Sequence, residues 1–355
     1  MPTAHDERAD LMGAEEVMRP TESSVRTGTP DGGKKVCFLF SGQGSQYRQM
    51  GRELYDGVAA FRGFMDALDL IVCQETGRSL LPELYGEQWR RSDPFDQTGI
   101  THPALYMLQL SLARTLMAQG VRADAVLGSS LGEYVAAVVA GAVDGDAMMR
   151  AIVRSARSIE QDCEPGAMLS VLAPRQIYDD EPWIRDATSF VSSYQTNHFV
   201  IAGPLNLIKA ARDHWDGADV VSVLLPVSHA FHSESMNLCV DSLQDIFGKL
   251  SIEKPRTPFY SSLLGGRVDA LSVAHFLRVG REPIRFVEAL NNLMGEPDSE
   301  YDFIDLGPSG SLAGIVKQYL PADEKDRSFA LLSLFANPRD QYERLMARNL
   351  SRGRF

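Results

Sequence analysis

Ala125-Val126-Leu127-Gly128-Ser129-Ser130-Leu131-Gly132-Glu133-Tyr134-Val135-Ala136-Ala137-Val138-Val139-Ala140 is the stretch whose reading decides the architecture. Residues 125–127 are a short apolar run of strand character, and residues 133–140 are rich in Ala and Val, as in a buried helix. The turn between them fits Gly-x-Ser-x-Gly. Small residues on both sides of Ser130 permit a sharp strand-to-helix reversal that lifts the central hydroxyl clear of the backbone. Ser130 is therefore the candidate nucleophile, and the N–H of Leu131, at the helix start, can point at a developing oxyanion.

Upstream, residues 36–40 (Val-Cys-Phe-Leu-Phe) read as a strand buried on both faces. The loop that leaves it, Ser41-Gly42-Gln43-Gly44-Ser45-Gln46, could supply a second oxyanion donor. It has neither the Lys-Ser/Thr of a P-loop nor the spacing of a dinucleotide fingerprint. Helical patterns follow at 47–55, 57–70, 103–119 and 146–163; in the third, Leu105, Leu108, Leu112 and Leu116 recur at spacings of three and four. From Ala167 the texture changes to short strands at 168–172, 191–194, 199–201 and 219–225, with a helix at 206–215, which reads as a small α+β insert. Beyond Pro226 the pattern returns to a helix at 235–250, a strand at 257–262, helices at 273–277 and 284–294, and a strand at 301–306. Strands alternating with helices indicate an α/β body on a largely parallel sheet.

The 355 residues allow two domains, or one large domain carrying an insert. With 35 Lys plus Arg against 47 Asp plus Glu, the net charge is −12, which disfavours nonspecific nucleic-acid binding. No apolar stretch nears the roughly 20 residues of a membrane span. Residues 1–34 are rich in Thr, Ser, Gly, Pro and acids, and read as a flexible leader without the apolar core of a secretory signal. A cytoplasmic enzyme is expected. The four cysteines, Cys37, Cys73, Cys163 and Cys239, form no Cys-x-x-Cys pair, so neither a metal site nor a disulfide framework is expected.

A nucleophilic serine needs a base, and seven histidines are available: His5, His102, His198, His214, His229, His232 and His275. His229 and His232 sit together in Ser228-His229-Ala230-Phe231-His232-Ser233, beside the Pro226 turn, and are the better candidates. With that pair in view, the order and spacing of six stretches become informative. They are 40–46, Thr101-His102-Pro103-Ala104-Leu105, 128–134, Gly166-Ala167-Met168, 229–233 and Asp305-Leu306-Gly307-Pro308. Over residues 35–334 the chain resembles the malonyl-CoA:acyl-carrier-protein transacylase family, including polyketide-synthase acyltransferase domains.

The resemblance implies an α/β-hydrolase-like large subdomain, residues 35–165 and 227–335, with a ferredoxin-like small subdomain, 166–226, inserted, and a C-terminal extension, 336–355. The active site would lie between the subdomains. Ser130 matches the acylated serine and His232 the base of a Ser–His dyad. Gln43 and Leu131 match the positions whose amides form the oxyanion hole, and Arg285 falls where the family uses a backbone carbonyl to orient the histidine. The partner would be an acyl carrier protein and the substrate its acyl thioester. No cofactor would be bound, because the phosphopantetheine arm arrives on the carrier protein or on CoA. Exposed Arg90, Arg91 and Arg281 are candidate contacts for an acidic carrier.

Departures from the family lie on the substrate side. Malonyl-type members carry an arginine that clamps the free carboxylate bidentately. Counted without gaps from Ser130 to Gly166, that position falls on Ser155, with Arg154 one residue and about 100° of helix away. The alternative is that Arg154 or Arg157 takes the role through a local shift. Ser129 replaces the usual histidine before the nucleophile, His102 the usual glutamine, and Tyr194-Gln195-Thr196 the usual Asn-Ser/Gly-Pro loop. Against these, His229 and Phe231 stand as in malonyl-specific members. Three readings follow: an acyltransferase-like acyl hydrolase of trans-acyltransferase polyketide systems acting on non-malonyl chains, a trans-acting acyltransferase, and a noncatalytic interaction module.

Overall fold

The computed structural model describes residues 34–297 and 300–351, so the expected leader at 1–34 lies, but for Lys34, outside the described residues. Ten strands are described: β1 Lys35–Phe40, β2 Ala125–Gly128, β3 Gly166–Val171, β4 Ser189–Gln195, β5 His198–Pro204, β6 Ser222–Leu224, β7 Phe259–Ser261, β8 Gly266–Val268, β9 Tyr301–Asp305 and β10 Ser328–Ala330. They form two sheets, of order β10-β9-β1-β2-β7-β8 and β4-β5-β3-β6. The larger is parallel except for the β7–β8 hairpin.

Its central strands are covered on both sides, as parallel sheets require. Along β1, Val36, Phe38 and Phe40 enter one core, shared with the helices Ala59–Thr76, Thr98–Ala118 and Gly145–Asp162. Cys37 and Leu39 enter the other, shared with Phe286–Met294 and Ser311–Tyr319. The alternation is the period of two of a strand buried on both faces. The smaller sheet is antiparallel. Leu169, Val171, Phe199 and Ile201 pack one of its faces on the helix Leu205–Asp216; the other carries Met168, Ser170 and Val200 toward a cavity. The chain leaves for this sheet and returns from it at adjacent points, where Pro165 bridges His229 and the Gly166 N–H donates to the Ser228 carbonyl at 2.9 Å. This is the expected large α/β subdomain with a small α+β subdomain inserted.

Several elements differ from expectation. The helix anticipated at 47–55 begins at Arg52, because Gly51 takes a left-handed φ of 74° and breaks the pattern there. The helix expected over 235–250 is a 3₁₀ segment, Glu234–Cys239, followed by an α-helix, Val240–Phe247. Ser233 caps the first, and Ser and Asn within it compete for local backbone hydrogen bonds. The C-terminal extension contains the helix Pro338–Ser351, whose Leu345 is buried in the main core.

Candidate active site

The turn after β2 brings Ser130 to a φ of 53°, in the left-handed region. Such strain persists only where surrounding structure enforces it. Here the Ser129 N–H donates to the Phe40 carbonyl at 2.8 Å, and a Cβ on Gly132 would collide with that same carbonyl. A Cβ on Gly42 would lie 2.8 Å from Ser130 Cβ, so the loop after β1 passes directly over the serine.

Ser130 Oγ lies 2.8 Å from His232 Nε2. The other ring nitrogen, Nδ1, lies 2.7 Å from the carbonyl of Glu282. A carbonyl only accepts, so Nδ1 carries the proton and Nε2 presents a lone pair to the serine. This corrects the expectation at Arg285. Its carbonyl is taken by the Ala289 N–H, at 3.0 Å, as the first turn of the helix Phe286–Met294, and its own N–H donates to Ser262 O at 2.6 Å. Burial pushes His232 down to about 4, with the Glu282 carbonyl and the Glu133 charge pulling the other way. The ring is therefore neutral near pH 7.

Both residues open onto a cavity of ≈ 220 Å³ between the sheets. Gln43 and Leu131 line it, and neither backbone N–H has a protein acceptor among the described residues. Two free donors thus flank the serine, on the loop after β1 and at the start of the helix Gly132–Val139. The Gln43 side chain is fixed on both ends: Nε2 donates to Thr101 Oγ1 at 2.9 Å, and Oε1 accepts from His102 Nε2 at 2.7 Å. His102 holds that geometry as a neutral ring, pushed down to about 3 by burial and then by His229.

Ser129, Ser155, Tyr194 and Phe231 also line the cavity. The Tyr194 phenol, raised by burial, sits beside the hydroxyls of Ser129 and Ser192. His229 is not among the lining residues; its Nδ1 faces Thr98 Oγ1 at 3.0 Å, and its ring stands behind Phe231. Ser155 is buried, donating to the Ile152 carbonyl at 3.0 Å. Arg154 points elsewhere, with two hydrogen bonds to the Glu75 carboxylate at 2.8 and 2.9 Å. Arg150 joins the same carboxylate, and Arg157 donates to the Glu75 carbonyl. No Asp, Glu, Lys or Arg lines the cavity among the described residues. Of the surface arginines, Arg281 is bound to Asn237 and Arg91 pairs with Glu53; neither these nor Arg90 reaches the cavity. No group of three or more His, Cys, Asp or Glu among the described residues could hold a metal ion. The arrangement is that of a serine hydroxyl with a proton acceptor in contact and two amides free to receive negative charge, which suits covalent acyl chemistry.

The sequence profile of the acyl transferase domain matches residues 37–346. The chain is 38% identical over 300 residues to the polyketide biosynthesis acyltransferase homolog PksD of Bacillus subtilis, covering 84% of this chain and 92% of that protein. The chain belongs to the acyl transferase family. A second relative, the polyketide biosynthesis acyltransferase homolog BaeD of Bacillus velezensis, is 37% identical with the same coverage. Among solved structures, a loading acyltransferase from the avermectin modular polyketide synthase matches it with a TM-score of 0.78 at 25% identity, over 88% of this chain and 99% of that one.

Three supporting groups of this acyl transferase family member escaped the sequence reading. Glu133, fully buried, accepts from Ser262 Oγ (2.9 Å), Leu263 N (2.7 Å) and His275 Nε2 (2.7 Å), while Ser262 Oγ lies 3.4 Å from the Ser130 N–H. Gln109, on the Leu-rich helix, clasps Ser41 through both its N–H (2.7 Å) and its carbonyl (3.0 Å). Gln46 accepts from Gly44 N at 2.7 Å and donates to the carbonyls of Phe95 and Pro226. A polar residue in an apolar helical stripe is a visible signal for Gln109; the Glu282 carbonyl has none.

Proposed function

We propose that this acyltransferase-family enzyme hydrolyses neutral, non-malonyl acyl groups from acyl carrier protein in polyketide biosynthesis. The observation that carries the reading is that, among the described residues, no Asp, Glu, Lys or Arg lines the cavity beside Ser130, with Ser155 at the counted clamp position and Arg154 and Arg150 bound to Glu75. A free carboxylate entering such a cavity would lose its hydration without gaining a partner, a cost of several kcal/mol in real interiors. The names of PksD and BaeD support the polyketide context.

In the mechanism, Ser130 Oγ attacks the thioester carbonyl carbon and its proton passes to His232 Nε2. The Gln43 and Leu131 amides receive the oxyanion. The carbon–sulfur bond breaks, His232 returns its proton to the leaving phosphopantetheine thiolate, and Ser130 carries the acyl group as an ester. Water, deprotonated by His232, then attacks that ester, releasing the carboxylic acid and restoring Ser130. The imidazolium formed in each step is steadied through Nδ1–H by Glu282 O. A second reading, a trans-acting acyltransferase, is favoured by Phe231, which lines the cavity; it differs only in taking a thiol as the second acceptor.

Intact-protein mass spectrometry separates the two. Mixed with acetyl- or butyryl-carrier protein, the enzyme should leave the carrier with a free thiol and no lasting adduct, and Ser130→Ala should abolish this. A stable malonyl adduct from malonyl-CoA that moves to holo carrier protein would establish the transferase instead.

A further inference from the structure

The cavity extends well past what an acetyl group needs. Part of its lining is Ser155, Ile159, Leu243, Phe247, Leu277 and Val279, all from the large subdomain. Ser155 and Ile159 are one turn apart on the helix Gly145–Asp162, and Leu243 and Phe247 one turn apart on Val240–Phe247. Each pair presents roughly 6 Å of wall along its helix axis. Apart from Ser155, every side chain in this set is aliphatic or aromatic. Rings back it: Tyr134 stacks on Phe247 at 5.4 Å, Phe276 touches both, and the Tyr134 hydroxyl is spent on the Phe276 carbonyl at 3.1 Å. The remaining polar lining is divided between the loops around Ser130, with Gln43, His102 and Ser129, and the small sheet, with Ser170, Ser192, Tyr194 and His198.

We infer that this apolar part of the lining is an acyl-chain subsite, which makes the enzyme selective for aliphatic thioesters longer than acetyl and sets their upper length at the Tyr134–Phe247 stack. The inference rests on the acyl-thioester reading of the site but not on which acceptor later takes the acyl group. Burying a methylene against such walls favours the longer chain by about fourfold for each carbon added. The gain ends where the chain meets the aromatic stack, because a close-packed wall resists further insertion.

The test measures kcat/KM for thiol release from acetyl-, butyryl-, hexanoyl- and octanoyl-pantetheine, a quantity that covers every step through acylation of Ser130 and none after it. Rising values from acetyl to hexanoyl are expected in the wild type. Leu277→Trp should collapse the hexanoyl-to-acetyl ratio by at least about tenfold, whereas Phe247→Ala, which removes one ring of the stack, should move the optimum to octanoyl. A general loss of folding would lower all substrates together and leave the ratio unchanged. A flat wild-type profile, or a ratio untouched by both variants, would overturn the inference. Thiol release with the expected profile but transfer of the acyl group to holo carrier protein would refute hydrolysis and leave the subsite standing.

Discussion

Position 155 carries a hydroxyl inside an uncharged cavity, so the effect of restoring a guanidinium there can be read directly. Ser155→Arg is expected to create malonyl-enzyme from malonyl-CoA and to depress hydrolysis of butyryl-carrier protein about tenfold or more, checked by the adduct mass and by carrier turnover. His232 makes a second prediction. Burial disfavours its imidazolium, so the neutral base survives to lower pH than a free histidine's. kcat/KM for thiol release should hold from pH 8 to about pH 5 and then fall with a midpoint near the value of about 4 that burial gives His232. A midpoint near 6.5 would show that the ring is not desolvated in the working enzyme. Ser130 and His232 were legible because a nucleophile elbow and a histidine pair are side-chain patterns. The orienting carbonyl of Glu282 was not, since every residue has one. The count to Ser155 assumed no gap between Ser130 and Gly166, and Ser155 lies on the cavity wall; which way Arg154 turns depended on Glu75, far away in sequence.

Between residues and fold, the loop after β1 and the turn after β2 are fitted to each other through contacts that leave no room for a side chain. Gly132→Ala would drive a methyl into the Phe40 carbonyl. It should destabilise the protein by about 3 kcal/mol and abolish acylation, as checked by a guanidinium unfolding midpoint and by thiol release. Gln109→Leu should act more gently. The buried N–H and carbonyl of Ser41 would lose their partner, a cost of about 1–3 kcal/mol, and acylation should fall with KM less affected than kcat. At this scale the sequence announced β1, β2 and the helix that follows the elbow, each a strong period or apolar run. It did not announce β8, β10 or the helix Ser311–Tyr319. The two strands are three residues long, too short for a periodic signal, and Gly310, Gly314 and Ser311 weaken the helix.

Taken whole, the molecule keeps His232 and His102 buried and neutral, held to about 4 and about 3, while the unfolded chain protonates histidines at about 6.5. Below that pH the unfolded state binds more protons, so stability should fall as pH drops from 6.5 toward 4. Asp305, raised to about 6 by burial, acts oppositely over part of the window but is a single group. The unfolding midpoint should therefore decrease between pH 7 and 4.5; an increase would mean that Asp305 outweighs both histidines. The two-part architecture itself was visible as a change of texture near Ala167, because strands covered on one face alternate differently from those covered on two.

Gln46 joins parts that the chain keeps far apart. One end of its amide accepts from Gly44 in the loop over Ser130, and the other holds the carbonyl of Pro226, where the chain comes back from the small sheet. A rocking motion of that sheet about its two crossings would pull on the same loop that carries the free Gln43 amide. Through that one amide, the entrance to the small sheet and the loop over the nucleophile share a single strut, so neither could shift without straining the other.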